Sequence, residues 1–112
     1  MLNLAKLTKD YVNAFNNKDL ALVADLMADD FTLTDPSVTS LGPKDKALAF
    51  IANLFKSHPS LSFESHKIIC DTPYTALHFS LTLGEVIYDG VDLITWREGR
   101  MVCMEAYLTP RT

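Results

Sequence analysis

Four runs rich in β-branched and aromatic residues fill the second half of the chain, and the segments between them are too short to cross over a sheet. The runs are Leu61 to Cys70, Tyr74 to Leu83, Val86 to Trp96 and Met101 to Leu108. They are separated by Asp71-Thr72-Pro73, Gly84-Glu85 and Arg97-Glu98-Gly99-Arg100. A parallel connection takes about a dozen residues or more, so these strands must form an antiparallel meander. One face of such a sheet needs an apolar cover, which the first half of the chain must supply.

The cover reads as three helices. Leu4, Leu7, Tyr11, Ala14 and Phe15 recur at the three-to-four spacing of one helical stripe, and Asn16-Asn17 ends it. Asp19 is a capping residue for a second, shorter helix carrying Leu20, Leu22, Val23, Leu26 and Met27. After Asp29-Asp30 the pattern alternates, with Phe31, Leu33 and Asp35 on one side of a short strand and Thr32 and Thr34 on the other. Pro36 forces Asp35 toward extended geometry, which keeps its carboxylate on the side of Phe31 and Leu33. Gly42-Pro43 opens the third helix with proline at its first position, and Ala47, Phe50, Ile51 and Leu54 form its stripe up to His58-Pro59. Helices first and sheet after gives an α+β domain, three helices packed on one face of a curved sheet.

At 112 residues the chain is expected to be one domain, 1–112, able to bury a core without disulfides or metals. A net charge of −4 provides no basic field for a nucleic-acid backbone, so DNA and RNA are excluded as partners. No stretch approaches membrane-spanning length, and Met1 to Lys9 lacks the pattern of a signal segment, so no membrane partner and a cytoplasmic location are expected. Cys70 and Cys103 form no CxxC pair and read as reduced core residues.

Three polar side chains stand where the local period calls for an apolar one: Tyr11, Asp35 and Asp92. Burying a polar group without a partner costs roughly 1–3 kcal/mol, and more if it is charged. Three such positions together point to a pocket. Tyr88, Ile94 and Trp96 share the strand face of Asp92, and Gly90 leaves room for something to approach. His58, His66 and His78 lack metal-ligand spacing, so no metal site is expected. His66 falls on a face with Glu64 and Ile68, and His78 on one with Ser80 and Thr82, an outer sheet surface or a subunit contact. Arg97 and Arg100 flank a hairpin tip, away from any pocket.

The segments Tyr11-Val12-Asn13-Ala14-Phe15-Asn16-Asn17-Lys18-Asp19-Leu20, Met27-Ala28-Asp29-Asp30-Phe31 and Thr34-Asp35-Pro36 resemble the nuclear transport factor 2-like superfamily. Within it they are most similar to the ketosteroid isomerase and SnoaL-like polyketide cyclase branch, over nearly the whole chain. The resemblance implies a cone-shaped, cystatin-like fold in which three helices wrap a strongly curved, mostly antiparallel sheet around an apolar pocket. The strand at Phe31 to Asp35 would join the sheet's edge. The resemblance also implies roles: Asp35 as general base, Tyr11 as one oxyanion donor, and Asp92 as a carboxylic acid kept neutral to donate the second hydrogen bond. Phe50, Phe79, Met104 and Leu108 match pocket-lining positions, and Phe15 and Trp96 join them on the same faces. An epoxide hydrolase of the superfamily would need an arginine between two aspartates, which this chain lacks in the pocket.

The expected activity is that of a small isomerase or cyclase, without cofactor, that abstracts a proton alpha to the carbonyl of a small hydrophobic compound. The alternative is a non-catalytic binder of a small hydrophobic ligand, and a third reading is a partner-binding protein. The resemblance also implies a homodimer through the outer sheet face, whichever reading holds.

Overall fold

The computed structural model describes residues 2–112. Helix α1 (Leu4–Asn16) and the short α2 (Leu20–Asp25) precede strand β1 (Met27–Thr34), and helix α3 (Lys44–Ser57) follows it. Strands β2 (Ser62–Asp71), β3 (Tyr74–Leu83), β4 (Val86–Arg97) and β5 (Arg100–Pro110) complete a five-stranded sheet in the order β1-β5-β4-β3-β2. The last four strands are the antiparallel meander, and β1 joins the edge parallel to β5. This is the α+β, cystatin-like architecture the sequence implied.

Local chemistry places the helices as expected. Asn3 caps α1 by accepting the Lys6 N–H at 3.0 Å, and Asp19 caps α2 by accepting the Leu22 N–H at 3.1 Å. The α1 stripe buries Leu4, Tyr11, Ala14 and Phe15 against the sheet, where Phe63 and Phe79 meet it. Phe15, Phe55, Phe63 and Phe79 pack as a chain of tilted and edge-on rings with centroids 5.0 Å apart at each step.

Five local expectations need correction. The second helix stops at Asp25, because the Met101 N–H bonds the Leu26 carbonyl at 2.7 Å and Met27 already pairs with Met101 in the sheet. Asp29 and Asp30 therefore lie within β1, at a bulge between Met27 and Thr32, and Asp30 forms an ion pair with Arg97 at 2.7 Å. Pro43 is the N-cap of α3 and not its first residue. Cys70 is exposed, on the edge strand β2 that the helices only partly cover, and Cys103 is half-buried on β5; both are free thiols and neither is a core residue. Finally, a bulge between Ser65 and Lys67 separates His66 from Ile68: Ile68 turns to the core opposite Leu77, while His66 stays outside beside Ser80.

What approaches Gly90 is strand β5. A Cβ there would lie 2.3 Å from the Tyr107 carbonyl oxygen and 2.6 Å from the Leu108 Cβ, so the absent side chain lets β5 press against β4. Gly90→Ala is expected to lower stability by about 1–3 kcal/mol through forced strand displacement, read as a lower urea midpoint at unchanged slope. An unchanged midpoint would mean that the strands part there freely.

Candidate active site

Between the helices and the inner sheet face lies a cavity of about 80 Å³, with Tyr11, Asp35 and Asp92 all in its wall. The three come from different levels of the chain. Tyr11 projects from the buried stripe of α1, Asp92 from the inward-facing register of β4, and Asp35 from the turn that ends β1. The apolar wall includes Phe15, Phe50, Phe79, Met104 and Leu108, each named from the sequence, together with Met27, Phe31, Leu33, Ile51, Leu54, Phe63, Leu81 and Ala106. Phe63 and Ala106 were missed, although alternation along β2 and β5 marks both as inward-facing.

Trp96 is the exception among the expected lining residues. It is buried, but its indole N–H donates to the Thr75 hydroxyl at 2.9 Å, outside the cavity wall. Thr75 in turn bonds the Thr8 hydroxyl at 3.0 Å, and Thr8 donates to the Leu4 carbonyl at 2.7 Å. Trp96 shares a strand face with Asp92, yet four residues carry it about 13 Å further along the sheet. There it pins α1 to β3 and β4 through buried hydroxyls.

Asp92 is 4% exposed, and among the described residues none hydrogen-bonds its carboxyl. No buried side-chain oxygen or nitrogen among those residues is sealed off without a partner, so the Asp92 oxygens reach the cavity space. Burial, reinforced by the charge of Asp35, pushes its pKa up to about 8. The Asp92 carboxyl is thus protonated at neutral pH, a donor facing an apolar cavity.

Tyr11 is 3% exposed, and burial, with the nearby Asp92, raises its pKa well above the usual phenol range. Its hydroxyl donates to the Met104 sulfur at 3.7 Å, a weak acceptor that a ligand oxygen can displace. The Asp35 carboxylate is half-buried and divided in function. Its Oδ1 accepts the Ser37 N–H at 2.7 Å, the Ser37 hydroxyl at 2.8 Å and the Val38 N–H at 2.9 Å. The loop is closed by the Leu33–Leu41 bridge and by the Asp35 N–H donating to the Val38 carbonyl at 2.9 Å. One oxygen holds the turn, which leaves the other for the cavity.

Arg97 is engaged with Asp30 on the outside, so it does not stand between the two cavity aspartates. Among the described residues no group of three or more metal-ligating side chains is present, and no helix is long and apolar enough to cross a membrane.

A SnoaL-like domain model matches residues 8–104. The chain belongs to the SnoaL-like family. Solved structures share the fold of this SnoaL-like protein at low sequence identity. A cystatin-fold protein from Novosphingobium aromaticivorans has a TM-score of 0.87 at 16% identity, covering 95% of this chain and 98% of that one. A candidate ketosteroid isomerase from Kribbella flavida has a TM-score of 0.83 at 19% identity, covering 96% and 78%. A candidate SnoaL-like polyketide cyclase from Jannaschia sp. CCS1 has a TM-score of 0.76 at 18% identity, covering 88% and 78%. No curated protein matches the sequence.

The raised Asp92 pKa fixes the sign of a stability test. Between the ordinary carboxyl value of 3.8 and about 8, the folded state holds a proton that the unfolded state releases. Native stability therefore falls as pH rises through that window, by at most about 1.4 kcal/mol per pH unit. Asp92→Asn removes this dependence, so the mutant's advantage over the native chain should grow from acid to neutral pH and level off above about 8. Denaturant melts across that range check it, and parallel curves would mean that Asp92 is ionised in the fold.

Proposed function

We propose that this SnoaL-like protein is a small cofactor-independent isomerase or cyclase acting alpha to a carbonyl. The observation that carries this reading is Asp92: a buried carboxyl, without a protein partner, facing the same apolar cavity as Asp35, where burial favours its neutral form. The Asp35 carboxylate takes a proton from the carbon next to a ketone, and the electron pair moves onto the carbonyl oxygen. The Tyr11 hydroxyl and the neutral Asp92 carboxyl donate to that oxygen in a cavity where little water competes. Protonated Asp35 then returns the proton at the far carbon of a shifted double bond. In a cyclase, the enolate carbon instead attacks a second carbonyl, whose π electron pair moves onto its oxygen and takes the proton back from Asp35 as the ring closes.

The cavity size supports a compact reacting group, since pockets for drug-sized ligands run to roughly 300–1,000 Å³, against about 80 Å³ here. The binder reading is favoured by one observation: Asp35 accepts three hydrogen bonds from its own turn, a structural task that needs no catalysis. The two readings separate on turnover. With 3-cyclopentenone as substrate, conjugation to 2-cyclopentenone is followed by ultraviolet absorbance. Asp35→Asn is expected to lower the rate by about 10²–10⁴ and Tyr11→Phe by about 10²–10³, with ligand binding retained. Binding without turnover by any form would leave the binder.

We also propose a homodimer through the outer sheet face, where exposed Ile69, Tyr74 and Leu93 rim a shallow apolar hollow with Ala76 across β2, β3 and β4. Leu93→Lys should turn a dimer into a monomer in sedimentation. A monomeric native chain would refute the dimer.

A further inference from the structure

A second, larger space adjoins the cavity on the far side of Asp35. It is a groove of about 490 Å³ that runs along the outer end of β5, with Thr34 and Pro36 on one bank and Glu105 and Tyr107 on the other. Asp35, Ala106 and Leu108 line both spaces, so the groove begins where the cavity opens.

The backbone explains why the groove exists. Strand β1 leaves β5 after Thr34 pairs with Glu105, and that last parallel pairing uses the Ala106 N–H. The next donor in line would be residue 36, which is proline and has no N–H. On the other side, the Arg111 N–H bonds the Ile87 carbonyl at 2.7 Å, and the register from Tyr88–Pro110 back to Thr95–Cys103 is unbroken. Alternation along that antiparallel ladder makes Asp89–Thr109 and Val91–Tyr107 the hydrogen-bonded pairs. It turns the backbone groups of Ala106 and Leu108 away from β4, toward the edge that β1 has vacated. The Ala106 carbonyl and the Leu108 N–H and carbonyl are therefore left facing the groove.

Resting on the reading of the cavity as a carbonyl-binding site, we infer that the ligand is a two-part molecule: a compact ketone head in the cavity and an extended, uncharged amide arm along the free edge of β5. An amide carbonyl on the arm accepts the Leu108 N–H, in the manner of an added strand. Charge selects against an anionic arm. Asp35 and Glu105 border the groove, while Asp89 is already neutralised by Arg111 at 2.7 Å.

Three probes test this: cyclopentanone, N-methyl-2-(3-oxocyclopentyl)acetamide and (3-oxocyclopentyl)acetic acid, titrated into the full chain with amide resonances followed by NMR. The amide is expected to bind at least tenfold tighter than either other probe, and only the amide should shift the Leu108 N–H resonance strongly. In Glu105→Arg the acid should gain several-fold on the amide. Cyclopentanone binding as tightly as the amide would overturn the arm while leaving the cavity reading intact. No binding by any probe would overturn both. Slow exchange of the Leu108 N–H in the free protein, with a sedimentation value for a dimer that persists in Leu93→Lys, would mean that a second copy occupies the edge instead.

Discussion

Keeping the Asp92 carboxyl among Phe79, Met104 and Leu108 without a protein hydrogen bond is unfavourable taken alone, because a desolvated polar group loses water and gains nothing. The fold tolerates it by two means. The group stays protonated, which removes the far larger penalty of a buried charge. It also sits in the middle of β4, held on both sides by continuous ladders to β3 and β5, with Leu77 and Ala106 directly opposite. A less firmly paired strand would turn that side chain out to water. The donor facing the cavity thus depends on the rigidity of the central sheet.

Asp35 solves a different problem. A carboxylate at the end of a strand, before a proline, has backbone donors within easy reach, and its Oδ1 takes three hydrogen bonds from the turn that follows. Those bonds fix the side chain at the cavity rim and leave its second oxygen unspent. Pro36 both ends the strand and removes the donor that would have continued pairing with β5. One dipeptide therefore positions the base and opens the edge of the sheet beside it.

The outer surface carries a separate polar layer. Ser80, although on the outward face of β3, is buried beneath His66, Asp89 and Arg111, which bond across three strands and the segment after β5. That arrangement ties the chain's end to the sheet next to the groove and keeps Asp89 ionised well below its usual range, chiefly through Arg111. The inner side is mainly apolar, with three polar groups at the cavity and the buried Thr8–Thr75–Trp96 set beyond it, and the outer face is a mixture of ion pairs and exposed hydrophobic residues.

Sequence alone determined the element types, the antiparallel meander and the three polar positions on apolar stripes, because period, turn chemistry and connection length are local properties. Tyr11, Asp35 and Asp92 were legible for that reason, whereas Phe50, Phe79, Met104 and Leu108 were legible as pocket lining only through the family resemblance. Tertiary structure decided what depends on distance along a face and on pairing between remote segments. Alternation placed Trp96 on the correct side of β4 but could not say that the cavity ends before it. The end of the second helix, the entry of Asp29 and Asp30 into β1, the bulge at Ser65 to Lys67 and the pressure of β5 on Gly90 each follow from a strand partner far away in the chain. Such pairings are selected by the energy of the whole sheet, which no window of neighbouring residues contains.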